Sequence, residues 1–155
     1  MEPGWVPPEI DTTKAVDQDV YVVMGGAFTG DLAHNALFRN PGNANHFIKL
    51  TLEGVKSNRA AVGARLQVTV DTPHGRRDIF STVSSGGSFG SSPFRREIGL
   101  GDATAIRSIV FTWPTTGATQ RFEAPAMDRA YRLREGEPQL TPIVLHRFKL
   151  GAHPN

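Results

Sequence analysis

The sequence lacks cysteine entirely, which excludes disulfide bonds and thiolate chemistry. It also lacks any apolar run near the roughly 18 residues that a membrane-spanning helix needs, and its first residues do not have the pattern of a signal peptide. A strong excess of one charge is missing too, since 17 basic and 15 acidic residues give a net charge of +2. We therefore expect no membrane span, no export signal in this chain and no nucleic-acid partner.

Turn-forming residues are abundant, whereas helical periodicity is missing. The 155 residues include 16 glycines and 11 prolines beside 39% hydrophobic residues, and no segment has a strong apolar face at helical spacing. A chain of this length supports one domain with a buried core. The composition therefore predicts a folded domain of short strands separated by turns.

Apolar and β-branched residues predict a series of strands, which cover residues 20–24, 46–53, 66–70, 94–98, 106–113, 119–122 and 131–133. The first of them is predicted to be buried, and the tail over residues 143–150 to add an edge strand. Pro73, His74 and Gly75 are predicted to form the turn of a hairpin whose second strand runs through Ile79, Phe80 and Val83.

Short strands at regular spacing with Gly/Pro turns indicate the fold class. We expect an all-β protein, an antiparallel β-sandwich with a barrel-like arrangement as the alternative. The predicted core includes Leu52, Leu66, Val68, Ile109 and Phe111.

Catalytic and metal-binding patterns are weak. Residues 86–90 match the G-x-S-x-G nucleophile elbow around Ser88, but no helix is predicted to follow, so a chance match in a Gly/Ser tract is the simpler interpretation. Carboxylates are dispersed, and the histidines lack metal-ligand spacing. The histidines are His34, His46, His74, His146 and His153. We interpret His46 as a strand-start residue bonded to the adjacent Asn-rich turn, and we predict neither an enzyme nor a metal site.

The most informative segment is residues 57–65, S-N-R-A-A-V-G-A-R, which lies at a bend between two predicted strands. One interpretation is structural: Asn58 caps backbone groups and Gly63 adopts an unusual dihedral angle. In this interpretation the forked guanidinium group of Arg59 or Arg65 donates hydrogen bonds to carbonyl groups or to a carboxylate.

The other interpretation of this segment is functional. It predicts a polar and aromatic patch for a carbohydrate or protein ligand, formed by Asn58, Arg59, Arg65 and Trp113. Trp113 itself ends an apolar strand and precedes a proline, so it is predicted to pack in the core or between domains.

Four segments, in order and spacing, carry a family resemblance. They are N-P-G-N-A-N-H-F-I-K-L-T-L-E-G at residues 40–54, the run at residues 57–65, G-L-G-D-A at residues 99–103 and V-F-T-W-P at residues 110–114. Together they resemble the ASPIC/UnbV domain family, found in cartilage acidic protein and in proteins linked to enediyne biosynthesis. Family members usually have W-P-S-G, whereas this chain has the longer W-P-T-T-G.

The resemblance implies three parts of the chain. Residues 1–34 would be an irregular arm with the remnant of an FG-GAP-like repeat, residues 35–136 an ASPIC/UnbV-like β domain, and residues 137–155 a tail. In the family this domain follows FG-GAP-type repeats that form a β-propeller, and D-V-Y-V-V-M-G-G at residues 19–26 resembles the end of such a repeat. Short extra strands at the N-terminus would come from that remnant.

The resemblance further implies a non-catalytic C-terminal binding module of a larger protein, located outside the cell or in the cell envelope and acting in adhesion. The upstream propeller would be one partner. Two alternatives stay open: a structural domain that docks against or caps the propeller through the apolar residues of 20–38, and an accessory part of a biosynthetic enzyme or hydrolase. Residues 17–19, D-Q-D, resemble the calcium loop of those repeats but lack its further ligands and glycine, so we expect no cofactor, with calcium as the alternative.

Overall fold

The chain divides into two compact units. The computed structural model describes residues 9–10, 19–25, 30, 34–38, 40–87, 90–91, 93–145 and 148–149. The unit Ala44–Leu145, here called the main unit, contains the candidate site. The other, here called the terminal unit, combines Met1–Asn43 with His146–Asn155. The predicted division at residues 34/35 and 136/137 stays a prediction.

All the regular elements of the described residues are β-strands, numbered here in chain order. They are β1 (Glu9–Ile10), β2 (Val20–Val22), β3 (Ala36–Phe38), β4 (His46–Glu53), β5 (Arg65–Thr72), β6 (Gly75–Thr82), β7 (Gly86–Gly87), β8 (Gly90–Ser91), β9 (Arg96–Gly101), β10 (Ala105–Thr112), β11 (Thr119–Glu123), β12 (Arg129–Arg134), β13 (Thr141–Ile143) and β14 (Phe148–Lys149). The described part of the chain has no helix of the length and apolar character that crosses a membrane.

Two four-stranded sheets build the main unit. The first, here called the β5 sheet, has the order β11-β10-β5-β6 with antiparallel pairs throughout. The second, the β4 sheet, has the order β13-β12-β4-β9, and its β4–β12 pair is parallel. The all-β fold is confirmed and the sheets form a sandwich rather than a closed barrel, but the parallel pair was not predicted from the sequence.

Apolar and polar residues alternate along the strands, so one face of each sheet is apolar and packs in a shared core. β5 buries Leu66 and Val68, β4 buries Ile48 and Leu50, and the side chains of both sheets belong to one hydrophobic cluster. Burying an aliphatic side chain of this size contributes about 1.5–3 kcal/mol of folding free energy. The core residues predicted from the sequence are all buried, which confirms the predicted period of two.

The predicted hairpin is also confirmed. Thr72 pairs with Gly75, which leaves Pro73 and His74 as the loop between β5 and β6. The Thr72 hydroxyl accepts a hydrogen bond from the His74 N–H (3.1 Å) and donates to the Gly75 carbonyl (2.8 Å). These contacts fix the register of β6 against β5.

Arginine side chains join the two sheets along one side of the sandwich. Arg77 of β6 donates from Nη2 to the carbonyl of Leu100 in β9 (2.7 Å). Arg96 of β9 donates from Nε to the hydroxyl of Ser81 in β6 (3.2 Å). Each contact links an edge strand of one sheet to an edge strand of the other.

In the terminal unit, β2 and β3 form an antiparallel ribbon, and β1 pairs with β14. The Asn35 side chain accepts from the Met24 N–H (3.2 Å) and donates to the Tyr21 hydroxyl (2.7 Å). The strand predicted at residues 20–24 therefore exists, but its predicted burial is wrong, because Val20 is 56% and Tyr21 60% exposed. A ribbon of two short strands cannot bury such side chains by itself.

Candidate functional site

The loop between β4 and β5, residues 54–64, is held by the carboxylate of Glu135. Glu135 directly follows β12, and parallel pairing brings the ends of β12 and β4 side by side. Its Oε2 atom accepts hydrogen bonds from three successive backbone amides, those of Val55, Lys56 and Ser57, each at 2.7 Å. Successive amides directed at one anion form a nest, so the protein fills its own anion-binding site.

The second oxygen of Glu135 connects the loop to a neighbouring turn. Oε1 accepts from the hydroxyl of Ser57 (3.0 Å) and from that of Thr116 (3.3 Å). Ser57 is buried, and its hydroxyl also accepts from the Thr115 N–H at 3.5 Å. One carboxylate therefore ties together the β4–β5 loop, the β10–β11 turn and the end of β12.

These contacts shift the pKa of Glu135. Partial burial raises the pKa of its carboxyl group, but the hydrogen bonds from the Ser57 amide and hydroxyl and from the Val55 and Lys56 amides outweigh burial and lower the pKa from 4.5 to about 2. Carboxylates that accept several backbone hydrogen bonds commonly titrate this low. The side chain is thus ionised at neutral pH.

Position 54, at the start of the loop, requires glycine because there is no space for a side chain. The Gly54 N–H donates to the carbonyl of Arg59 at 3.1 Å and closes the first half of the loop. A Cβ atom at Gly54 would lie 2.2 Å from the carbonyl oxygen of Asn58 and 2.7 Å from that of Ser57. Both neighbours are backbone atoms, and the Asn58 carbonyl also accepts from the Ala61 N–H at 2.8 Å, so the loop has little freedom to make room.

Asn58 clamps the second half of the loop. Its Nδ2 donates to the Val62 carbonyl and its Oδ1 accepts from the Val62 N–H, both at 2.8 Å. Gly63 has φ of 93° and donates to the carbonyl of Val83 (2.9 Å). The structural interpretation of Asn58 and Gly63 is therefore confirmed, and both polar atoms of the Asn58 side chain serve the loop itself.

Basic side chains emerge from this rigid frame. Lys56, Arg59 and Arg65 are all exposed. Among the described residues, none of the three forms a side-chain hydrogen bond or an ion pair within 4.0 Å. The arginine fork predicted for Arg59 or Arg65 is therefore wrong for the described part of the chain, and their guanidinium groups remain open to solvent.

Trp113 is a core residue, as the sequence predicted. It is 1% exposed, and its indole N–H donates to Oε1 of Gln120 at 2.6 Å. The same Gln120 oxygen accepts from the Gly136 N–H (3.0 Å), while Nε2 donates to the Glu137 carbonyl (2.6 Å). The indole reaches the surface only as one wall of a cavity of about 220 Å³. The cavity is lined by Val55, Lys56, Trp113, Thr116, Ala118, Gln120, Glu135 and Gly136.

Sequence reasoning missed Glu135 and Gln120, which organise this end of the sandwich. Glu135 lies 78 residues from Ser57 along the chain, and no spacing pattern connects the two. The parallel pairing of β4 with β12 is what brings them together. In the sequence alone, a glutamate followed by a glycine indicates only a surface turn.

Most of the other candidates predicted from the sequence fall on residues that the structure does not describe. Ser88, Asp17, Gln18, His146 and His153 lie outside the described residues. Within the described ones, no group of three or more His, Asp or Glu side chains is placed to hold a metal ion.

His46 has a partner that the sequence did not indicate. Its Nδ1 lies 2.7 Å from Oδ2 of Asp128, and the Asp128 Oδ1 accepts from the Phe47 N–H at 3.1 Å. His74 occupies the tip of the β5–β6 hairpin, as predicted.

Comparison with known proteins places the loop and the cavity within one family segment. A family model described as "ASPIC and UnbV" matches residues 54–140, which is more than half of the chain. The match begins at Gly54 and extends past Glu135, so it includes both sides of the nest. A search of the curated proteins gave no match.

Replacing Glu135 should change how stability depends on pH. Because the folded-state pKa of about 2 lies below the ordinary value of 4.5, the ionised carboxylate stabilises the fold fully above pH 4.5, and this contribution is lost as the pH falls toward 2. Glu135→Gln should therefore be less stable than the natural protein at pH 7. The difference should shrink between pH 4.5 and 2 in urea unfolding.

Glu137→Gln is the matched control, since its carboxylate contacts Arg134 at 3.9 Å rather than the nest. It reports the background effect of removing one acidic side chain. A Glu135→Gln deficit that stays constant between pH 7 and pH 2 would contradict the assigned role of the carboxylate.

Gly54→Ala should destabilise the main unit by about 1–3 kcal/mol or more, because the added methyl group meets backbone oxygen rather than a movable side chain. Gly99→Ala is the control, since a Cβ there meets no atom within 4 Å. Thermal melts of both variants measure the difference. Equal melting temperatures would show that the loop adjusts freely.

Proposed function

Because this chain belongs to the ASPIC and UnbV family, we propose that it is a non-catalytic binding domain whose rigid β4–β5 loop presents arginine side chains to a protein ligand. The observation that carries the proposal is a contrast between the loop backbone and the arginine side chains. The backbone is fixed by Glu135 and Asn58, whereas Arg59 in the loop and Arg65, the first residue of β5, have no side-chain partner among the described residues.

A fixed backbone favours binding because less conformational entropy is lost when the ligand arrives. Arginine is enriched among the residues that contribute most to protein interfaces, and its guanidinium group suits carboxylates that it can grip with two hydrogen bonds. Lys56, which is also exposed, is a further basic residue of the same loop. A protein segment with acidic side chains therefore fits this loop best.

The burial of Trp113 argues against a carbohydrate at this loop. Sugar rings pack their C–H faces against aromatic rings, but the Trp113 indole is 1% exposed and its N–H is engaged by Gln120. The predicted four-residue patch therefore loses its aromatic member as a stacking surface. A protein ligand outside the cell or at the cell envelope agrees with the family resemblance, and it requires no cofactor.

Replacing the arginines tests the proposal. The purified chain is applied to an array of secreted and cell-surface proteins printed beside neutral and acidic glycans, and bound proteins are then titrated by biolayer interferometry. Arg59→Ala and Arg65→Ala should each weaken protein binding by about 10- to 150-fold, because each removes charge-assisted hydrogen bonds worth about 1.5–3 kcal/mol. Both variants should keep their stability within about 0.5 kcal/mol, since the side chains are exposed.

Arg132→Ala is the matched control, an exposed arginine in the β4 sheet without a side-chain partner among the described residues. Its binding should equal that of the natural protein. Protein binding that survives the Arg59→Ala, Arg65→Ala double variant would refute the role of the loop, and binding to glycans alone would refute a protein ligand.

A second candidate function, docking against an upstream propeller, is favoured by the terminal unit. Apolar side chains of its ribbon are exposed, and they include Val20 at 56%, Tyr21 at 60% and Phe38 at 61%. Val20 and Phe38 are paired across the ribbon, and neighbouring exposed apolar residues are typical of interaction surfaces. Docking predicts that the isolated chain self-associates with rising concentration in light scattering, whereas a monomer at every concentration would argue against it.

A further inference from the structure

The outward face of the β5 sheet carries a groove of about 390 Å³, and no residue of the β4–β5 loop lines it. Its lining is polar and comes from β5, β6, β10 and β11. The lining residues are Thr69, Arg76, Asp78, Arg107, Ser108, Arg121 and Glu123.

The strand register explains why these side chains meet. Glu123, Ser108, Thr69 and Asp78 stand opposite one another in a row across the four strands. Arg121 heads the next row on the same face, which ends at Phe80. Side chains two positions apart on a strand share a face, so the rows lie next to each other.

Each arginine of the groove contacts a carboxylate. Arg107 forms an ion pair with Asp71, and Arg76 Nε lies 3.6 Å from the same carboxylate. Arg121 pairs with Glu123, which lies two residues away on β11. When Asp71 at the border of the groove is counted with the lining residues Asp78 and Glu123, three carboxylates balance the charge of the three arginines.

Balanced charges select a particular kind of ligand. An anion would meet the carboxylates and a cation would meet the guanidinium groups, so neither gains from the groove as a whole. Fixed donors and acceptors side by side instead suit a neutral molecule with many hydroxyl groups, since each hydroxyl both donates and accepts. The hydroxyl of Thr69, which donates to Asp78 Oδ1 at 2.6 Å, adds one more such partner.

Phe80 supplies the apolar part of the site. Its ring is 71% exposed on β6, an edge strand, two residues from Asp78 and on the same face. An exposed aromatic ring beside a polar groove is the arrangement in which a sugar ring packs against the aromatic face while its hydroxyls bind the polar groups. We propose that this groove and Phe80 form a binding site for a neutral oligosaccharide.

This site goes beyond the proposed protein-binding function and depends on different side chains. Arg65 lies two residues from Gln67, which pairs with Phe80, so Arg65 borders both surfaces. Arg59 lies in the loop and does not line the groove. Arg59→Ala therefore tests the loop alone, whereas Phe80→Ala and Arg121→Ala test the groove alone.

The experiment uses the full chain, biotinylated and displayed on streptavidin so that weak single-site binding is strengthened by avidity. The probe is a glycan array of neutral, sialylated and sulfated oligosaccharides, followed by calorimetric titration of the neutral oligosaccharides that bind. Neutral oligosaccharides should bind, and Phe80→Ala and Arg121→Ala should each reduce affinity at least about tenfold. Circular dichroism melts should be unchanged, because both side chains are exposed.

The controls are Phe94→Ala, an exposed phenylalanine outside the groove, and Arg132→Ala in the β4 sheet. Both controls and Arg59→Ala should bind as the natural protein does. The proposal is overturned if no neutral oligosaccharide binds, if only acidic glycans bind, or if Phe80→Ala and Arg121→Ala bind normally. In those cases the arginines and carboxylates form only a solvated ion-pair network on the sheet.

Discussion

The carboxylate of Glu135 is the interaction on which this end of the molecule depends. A loop that reverses between two buried strands leaves several backbone amides without a partner in either sheet, and such groups must find one. Here one side chain satisfies three of them and reaches two hydroxyl groups as well. The loop is therefore ordered by polar contacts from a distant part of the chain, in addition to its own Asn58 contacts and the buried Ala61 and Ala64.

That arrangement separates the structural and the exposed polar groups of the loop. Asn58 and Ser57 are engaged within the frame, whereas Arg59 and Arg65 project from it without a partner among the described residues. The β5 sheet shows the opposite solution on its outward face, where each arginine of the groove has a carboxylate nearby. One surface thus carries open charge and the other balanced charge, which gives them different ligand preferences.

Much of the fold could be predicted from the sequence, because alternation of apolar residues is a local signal. The alternation through Leu66 and Val68 predicted β5 and its inward face, and Pro73 with His74 predicted the turn of the hairpin. Only part of the loop's stabilising contacts could be predicted from the sequence, because Asn58 and Gly63 lie within the loop, whereas Glu135 follows the distant strand β12. The order of the strands in a sheet brings distant residues into contact, and such contacts produce no spacing pattern in the sequence. Whether Arg59 and Arg65 have partners also depends on which residues the fold places near them.

The parallel pairing of β4 and β12 also constrains how the chain reaches its native state. β4 is a central strand whose two neighbours, β9 and β12, both come later in the chain. During synthesis its buried face and both of its edges therefore wait for strands that emerge much later, and such long-range pairing forms slowly. β5 and β6, joined by a two-residue turn, can pair at once. Within the main unit, the β4 segment is thus the strand that is exposed longest to misassociation before its partners emerge.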